Sequence, residues 1–111
     1  MKRKAITLIV VVVMIVSSFF LICAERYQNA VYWIEEEGKC FGKATPYLDE
    51  FPFIIELFDP GFVSYAYAGE EMGFGHYEEA IELLKPLADR NYRDSVQMLE
   101  QCIERLNQST D

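Results

Sequence analysis

The sequence predicts an all-α protein in which a single N-terminal transmembrane helix precedes a small helix-hairpin domain. Two observations predict this class. Ala5–Ala24 is a run of twenty residues without a charged side chain, and the chain after it repeats apolar residues at the spacing of one helical face. At about 1.5 Å per residue, this run forms a helix of roughly 30 Å, which matches the hydrocarbon core of a bilayer. The chain therefore divides into a membrane segment, residues 1–24, and an acidic helical domain, residues 25–111.

The membrane segment can stay as an anchor or be removed as a signal peptide. A signal peptide has a basic start, an apolar stretch of about 7–15 residues and a small-residue cleavage site. Lys2-Arg3-Lys4 supplies the start and Ile22-Cys23-Ala24 resembles the site, so cleavage after Ala24 would give a secreted protein. The length of the apolar run favours the uncleaved anchor. Lipid attachment at Cys23 is a third alternative, disfavoured because Ile22 is bulky where the lipoprotein signal has a small residue.

Orientation follows from the basic residues, because loops that carry Lys and Arg are retained in the cytoplasm. Lys2, Arg3 and Lys4 precede the apolar run, whereas Arg26 is the only basic residue between the run and Lys39. We therefore expect the N-terminus to lie inside the cytoplasmic membrane and residues 25–111 to lie outside it.

The domain after the apolar run is strongly acidic. All 18 acidic residues but only seven of the ten basic residues follow Ala24, so this part of the chain carries a formal charge of −11. A surface of this sign repels phosphate backbones and anionic lipid head groups, so nucleic-acid binding is not expected. The charge suits solubility, attraction of cations or a basic partner, and solvated helix faces are its simplest explanation.

Three cysteines allow one disulfide outside the membrane. Cys23 lies in the apolar run, where it serves as a small hydrophobic residue. Cys40 and Cys102 would share the outer, oxidising compartment and could form one disulfide that closes a long loop. The alternative is two separate thiols, with Cys102 buried on a helix face. The cysteines do not have the paired spacing of a zinc site.

The helix that leaves the membrane is expected to continue without a break to Glu37. Pro and Gly are absent until Gly38, a residue type that commonly ends helices. Four apolar or aromatic residues recur along one helical face of this stretch: Tyr27, Ala30, Val31 and Ile34.

The next segment, residues 39–63, is predicted to contain one interrupted helix. Thr45 is its expected cap, with Pro46 in the first turn, and Pro52 should kink the helix or split it in two. The turn Asp59-Pro60-Gly61 ends it. Four phenylalanines form either the core of the domain or an exposed binding groove: Phe51, Phe53, Phe58 and Phe62.

Three helices are predicted in the remainder of the chain, with Gly73-Phe74-Gly75 as the turn after the first. They are Ser64–Met72, Tyr77–Ala88, and a last helix from Asp94 or Ser95 to Leu106. Ser64 is expected to cap the first of them, Pro86 to end the hydrogen bonding of the second early, and residues 107–111 to fray. Each carries an apolar stripe at helical spacing, which predicts a shared core.

The run Gly75-His76-Tyr77-Glu78-Glu79-Ala80-Ile81 resembles the turn and second-helix start of a tetratricopeptide repeat. Ala68 falls where that family places the small residue of its first helix. Tyr92-Arg93-Asp94-Ser95 is similar to a degenerate variant of the repeat in exported proteins of Gram-positive bacteria. The positions that carry the resemblance are Ala68, Gly75, Tyr77, Ala80, Leu84, Tyr92, Asp94 and Ser95.

A recurrent interval indicates a second, earlier unit. Phe41-Gly42-Lys43-Ala44 stands 36 residues before Tyr77-Glu78-Glu79-Ala80, and Leu48 precedes Leu84 by the same interval. The family's repeat is about 34 residues long. Such units bury their apolar faces by stacking, and the resemblance implies the following division: units at about residues 25–60 and 64–90, and a closing helix at 94–107.

The sequence departs from the family's pattern in two respects. Ser64 and Glu71 stand where the family commonly has aromatic side chains, and Pro46 and Pro52 fall inside the second helix of the earlier unit. Residues 64–90 therefore match the family's helix pair more closely than residues 25–60 do.

The resemblance implies a protein-interaction scaffold that is not an enzyme and holds no cofactor. The residues agree, because the one histidine, His76, has no identifiable nucleophile partner and Gly73-Phe74-Gly75 lacks the further glycine of a phosphate-binding loop. We expect a membrane-anchored module that presents its helical domain to a protein outside the cytoplasm. The alternatives are an accessory subunit that docks onto a larger membrane complex through Phe51–Phe62, and a small secreted effector if cleavage follows Ala24.

Overall fold

The chain folds into helices joined by short turns, as a computed structural model shows for residues 2–109. The predicted all-α class is confirmed, and this part of the chain contains no β-strand. In chain order the elements are α1 (Lys2–Val31), a π-helical turn (Tyr32–Glu36), α2 (Phe41–Ala44), a 3₁₀ turn (Thr45–Tyr47), α3 (Pro52–Phe58), α4 (Phe62–Gly73), α5 (Tyr77–Asp89) and α6 (Ser95–Ser109).

The first helix has an unpacked half and a packed half. Most large apolar side chains between Ile6 and Ile22 are exposed, and only 6% of the most apolar 18-residue window is buried. Further along the same helix Cys23 and Ala30 are fully buried. Together with the π-helical turn, α1 is long and apolar enough to cross a membrane, and it is the one such helix within residues 2–109.

The helix continues beyond the apolar run without interruption, as the absence of Pro and Gly predicts. Its last turn widens from α- to π-helical geometry, and the amide of Glu37 donates to the carbonyl of Tyr32 at 3.1 Å. Gly38 follows with a φ of 80° and turns the chain back towards the domain. A left-handed residue just past the last turn is a common way for a helix to end.

Residues 39–60 form three short segments in place of the single interrupted helix that the sequence predicts. Thr45 is not the N-cap that the sequence predicts, because α2 already begins at Phe41 and Thr45 is buried in the 3₁₀ turn that follows. Pro52 splits the segment and starts α3, a position where its missing N–H and fixed φ suit a helix. The earlier unit therefore has no long second helix to pair with α1, and a repeat at residues 25–60 stays a prediction.

Helix α4 begins at Phe62, two residues before the predicted cap Ser64. The reason is a carboxylate from the preceding helix. Glu56 accepts hydrogen bonds from the amides of Gly61 at 2.8 Å and Val63 at 3.1 Å, and so satisfies N–H groups that a helix start leaves without partners. Gly61 supports this start with a φ of 96°.

The last two helices are longer than the sequence predicts. Helix α5 passes through Pro86 and ends at Asp89, so the expectation of an early end was wrong. Pro86 removes one N–H donor near the end of the helix, and burial of Leu84 and Leu87 on the same face holds the geometry. Helix α6 begins at Ser95 and includes residues 107–109, which were expected to fray. Residues 110 and 111 lie outside the described part of the chain.

The core forms where α4 packs on α5 and α5 packs on α6, while α2 and α3 also pack on α4, and α1 packs on α2 and α3. Small residues allow close approach at two points. Ala68 and Ala80 are fully buried, and the ring of Phe41 lies directly on the backbone of Gly69 in α4. The largest fully buried side chains are Phe62, Leu48, Ile55 and Leu84.

The Gly69→Ala substitution should lower the stability of the fold. Helix propensity alone favours alanine by about 1 kcal/mol, but a Cβ at this position would overlap the Phe41 ring. We expect a net loss of roughly 1–3 kcal/mol in the free energy of unfolding, as for other overpacked cores. Unfolding of the full chain in detergent micelles, followed by circular dichroism, measures it.

Gly73→Ala is the matched control, because Gly73 lies in the same helix and has open space around its Cβ position. This variant should be as stable as the unchanged chain or slightly more stable. Equal stability of the two alanine variants would contradict the packing of Phe41 on Gly69.

Candidate interaction pocket

A shallow pocket of about 400 Å³ lies where the end of α1 meets the loop between α5 and α6. Its residues come from four places in the chain and carry both signs of charge. The lining consists of Ile34 and Glu35 of the π-helical turn, Gly38 and Lys39 of the next loop, Tyr65 of α4, and Arg93 and Asp94 of the α5–α6 loop. We call this site the Arg93 pocket.

Unusual backbone conformations shape the Arg93 pocket. The turn Tyr32–Glu36 is π-helical, a form that occurs mostly as single turns and frequently at functional sites. Lys39 and Arg93 have positive φ angles of 63° and 43°. Residues other than glycine rarely adopt this region, and such strain concentrates at functional sites where surrounding contacts hold it. Three irregular stretches of backbone thus meet at one pocket.

The guanidinium of Arg93 joins the end of the first helix to the rest of the domain. Its Nη1 donates to the carboxylate of Glu35, its Nη2 donates to Asp59 Oδ2 at 3.0 Å, and its Nε donates to the Tyr92 hydroxyl at 3.2 Å. The Arg93 side chain is only 25% exposed. Its charge lies between 5.2 and 5.8 Å from the centres of three aromatic rings: Phe62, Tyr65 and Tyr92. Arginine suits this place because its flat, delocalised cation stacks on rings while it donates in its own plane.

Burial and hydrogen bonding oppose each other at Arg93. Burial by itself lowers the pKa of Arg93, but hydrogen bonds with Tyr92 and Asp59 outweigh it and hold the pKa above its ordinary value. The side chain therefore keeps its positive charge in its partly buried position.

Asp59 receives hydrogen bonds from two elements. The hydroxyl of Tyr27 donates to Asp59 Oδ2 at 2.8 Å, and Arg93 donates to the same oxygen. Burial and the hydrogen bond to Asp59 raise the pKa of Tyr27 to about 12. Because Tyr27 stands three residues beyond Ala24, this contact fixes α1 to the domain close to the end of the apolar run.

Asp94 connects two other parts of the Arg93 pocket, Tyr65 of α4 and Lys39 of the loop after the π-helical turn. The hydroxyl of Tyr65 donates to Asp94 Oδ1 at 2.5 Å, and the ammonium of Lys39 pairs with Asp94 Oδ2. Burial raises the pKa of Asp94, but the hydrogen bonds from Lys39 and Tyr65 outweigh burial and bring the pKa below its ordinary value of 3.8. Burial and the hydrogen bond to Asp94 raise the pKa of Tyr65.

The charges that line the pocket are balanced, with two cations, Lys39 and Arg93, facing two carboxylates, Glu35 and Asp94. A bound molecule can therefore pair with the cations and with the carboxylates of the lining, as the charged and polar groups of a polypeptide segment can. Within residues 2–109, His, Cys, Asp and Glu side chains do not gather in a group of three or more that could hold a metal ion.

The structure separates the repeat positions that the sequence singles out into three places. Ala68, Ala80 and Leu84 are buried between α4 and α5, as residues that allow helices to pack would be. Gly75, with a φ of 80°, and Tyr77 stand at the turn between those helices. The Arg93 pocket contains Asp94, with Tyr92 stacked beside Arg93, while Ser95 is buried and its hydroxyl has no hydrogen-bond partner within the described residues.

Of the two alternatives for Cys40 and Cys102, the structure has separate thiols and not the disulfide, because Cys23, Cys40 and Cys102 are all free. Cys102 is fully buried on α6, and burial raises the pKa of its thiol. Cys40 is partly exposed beside the Arg93 pocket, and its Sγ donates to the carbonyl of Glu37 at 3.3 Å. The two cysteines therefore occupy different surroundings, as the alternative of two separate thiols describes.

Sequence reasoning missed Arg93, the residue with the most partners at this site. The resemblance of the run Tyr92-Arg93-Asp94-Ser95 to a repeat variant points to its other three members and not to Arg93. A signal was present, because a basic residue between a tyrosine and an aspartate in so acidic a domain has many carboxylates available as partners. Glu35 and Asp59, its two carboxylate partners, are distant in sequence and become neighbours only in the fold.

Comparisons of this chain with protein-family models, with curated proteins and with solved structures found no match.

Replacement of Arg93 by lysine should destabilise the fold by about 1–3 kcal/mol, because an ammonium cannot hold two carboxylates and stack on three rings at once. Chemical unfolding of the full chain in micelles measures the loss. Arg105→Lys is the matched control on exposed α6, and it should change the free energy of unfolding by less than about 0.5 kcal/mol. A loss no larger in Arg93→Lys than in Arg105→Lys would show that Arg93 does not join these elements.

Asp94→Asn should reduce stability at neutral pH and much less in acid. Because the folded-state pKa of Asp94 lies below 3.8, its charge stabilises the fold fully above that value, and this contribution is lost as the pH falls through the depressed pKa. The difference in melting temperature between the variant and the unchanged chain should therefore narrow from pH 7 to pH 3. Asp89→Asn, on the exposed end of α5, should show no such narrowing, and a constant difference for Asp94→Asn would refute the assigned partners.

Proposed function

We propose that this protein is a single-pass membrane protein whose acidic helical domain stands outside the cytoplasmic membrane and binds a protein partner through the Arg93 pocket. One observation carries the proposal. Within a single unbroken helix, exposed apolar side chains up to Ile22 give way to buried and half-buried ones between Cys23 and Val31. The domain is therefore built directly on the end of the segment that would span the bilayer.

Contacts across residue 24 support an anchor that is retained. The ring of Phe19 lies 4.7 Å from that of Phe51, and the ring of Phe20 lies 6.1 Å from that of Phe58. Cleavage after Ala24 would remove Phe19 and Phe20 and leave the rings of α3 uncovered. Such a loss disfavours a secreted effector, because the released domain would expose aromatic surface to water.

The basic residues support the orientation. Lys2, Arg3 and Lys4 lie at one end of the spanning stretch, and the domain of charge −11 lies at the other. Retention of positive residues in the cytoplasm places the domain outside.

Three features support a protein as the partner. The Arg93 pocket is shallow and offers paired charges beside the hydroxyl and ring of Tyr65, which suits a peptide segment better than a small apolar ligand. The surrounding acidic surface attracts a basic partner and steers its approach. The resemblance of Gly75–Ile81 to a tetratricopeptide repeat, a protein-interaction motif, agrees with this role.

Cys40 provides a built-in test of the orientation and of the pocket. It is the partly exposed thiol of the three, and it stands next to Lys39 of the pocket. We expect a membrane-impermeant maleimide that carries a photoreactive group to label Cys40 on intact cells that express the full chain. Irradiation should then join the chain to a second protein, and Lys39→Glu, which reverses a charge of the pocket, should weaken that adduct.

Two control variants test whether the labelling depends on Cys40 and whether the adduct depends on the pocket. Cys40→Ser should remove the labelling. Glu104→Cys in the Cys40→Ser background places a thiol on exposed α6, about 15 Å along that helix from Asp94, and should be labelled without forming the adduct. Labelling only after lysis would contradict the orientation, and equal adducts from positions 40 and 104 would contradict the pocket.

A further inference from the structure

The short helix α3 exposes an apolar surface that the domain core leaves uncovered. Phe53 is 67% exposed, Leu57 is 70% exposed and Phe58 is 40% exposed. They make up three of the seven residues of the helix. Isolated exposed apolar residues are ordinary, but large ones clustered on one element mark a contact surface. We call these three residues the α3 surface.

The α3 surface is continuous with the apolar part of α1. Phe51, immediately before α3, packs edge-to-face on Phe19, and Phe58 at its end packs on Phe20. Leu21 and Ile22 are exposed on the same stretch of α1. Phe19 and Phe20 precede Ala24 by five and four residues, which puts them about 6–8 Å inside the end of the apolar run.

Three carboxylates in or near α3 form hydrogen bonds or ion pairs with other parts of the protein. Glu56, the one charged residue of α3, accepts hydrogen bonds from the amides at the start of α4. Asp59 is bound by Tyr27 and Arg93, and Glu50 pairs with Arg26 at 3.1 Å. These three carboxylates thus have partners on the protein, and the three residues of the α3 surface carry no charge themselves.

We infer that the α3 surface inserts into the outer leaflet of the bilayer beside α1, with Phe53 and Leu57 at the boundary between lipid head groups and acyl chains. The inference rests on the proposed function, since it requires α1 to span the membrane. If Phe19 and Phe20 lie in lipid, helix α3 lies at the same depth, where aromatic and apolar side chains are favoured and interfacial helices bury about 5–10 Å deep. The occupant is zwitterionic lipid, because the domain's charge of −11 disfavours anionic head groups.

Lipid contact would fix the domain against the membrane at a second point besides α1. The domain could then not rotate freely about the end of its anchor. The Arg93 pocket would then lie at a fixed distance from the membrane surface. Helix α4 begins beside Tyr27 and runs away from the apolar half of α1. Its far end, at Phe74, lines a second pocket together with Lys39, Cys40 and Phe41.

A tryptophan placed on α3 tests the inference in reconstituted full-length protein. The native Trp33 is first replaced by phenylalanine, and three single variants are then made in that background: Phe53→Trp on α3, Phe74→Trp as the control on the distal turn, and Val12→Trp in the middle of α1. Phe53 and Phe74 are matched, at 67% and 65% exposed. Each variant is reconstituted in phosphatidylcholine vesicles with and without brominated acyl chains, which quench tryptophan on contact.

We expect brominated lipid to reduce the emission of Phe53→Trp and Val12→Trp by about two-fold or more and to leave Phe74→Trp unchanged. Quenching at Val12→Trp without quenching at Phe53→Trp would overturn the inference but leave the membrane-spanning role of α1 intact. The α3 surface would then be assigned to contact with a protein. Loss of quenching at Val12→Trp would overturn the anchor itself. Equal quenching at positions 53 and 74 would show that the whole domain lies on the lipid, which also contradicts insertion through α3.

Discussion

The structure depends on a single helix whose two halves have different surroundings. Up to Ile22, α1 exposes bulky apolar side chains on almost all sides, as a helix that could cross a membrane does. From Cys23 onward the same helix turns one face of small and apolar residues towards the domain, including Ala30 and Ile34. Because the helix is continuous, the position of the domain relative to the apolar half of α1 is set by helix geometry and not by a flexible linker.

The acidity of the domain makes its few cations structurally important. Arg93 brings together Glu35 from the end of α1 and Asp59 from the end of α3, and rings from α4 and the α5–α6 loop surround its charge. Lys39 pairs with a single carboxylate, that of Asp94. Each pairing reduces repulsion between carboxylates as well as adding a charge-assisted hydrogen bond. The same pairings line the pocket that we propose for a partner.

Helix α3 shows how one short element can serve both the fold and the surface. Its buried residue Ile55 joins the core, and its carboxylate Glu56 starts the next helix. The opposite face carries Phe53 and Leu57, which the core does not use. A soluble domain would gain from polar residues at those two positions, and their apolar character fits a neighbour that is itself apolar.

The sequence by itself determined the properties that depend on local pattern. The uncharged run Ala5–Ala24 determined the long apolar helix, the stripes of α5 and α6 determined those helices, and Pro52 determined the break before α3, because periodicity and proline geometry act over a few residues. Only the tertiary structure decided that Glu56 starts α4 in place of Ser64, that α5 continues through Pro86, and that Arg93 joins Glu35 to Asp59. Those outcomes depend on contacts between residues far apart in the chain or on burial against other helices, and local pattern carries no record of which distant groups become neighbours.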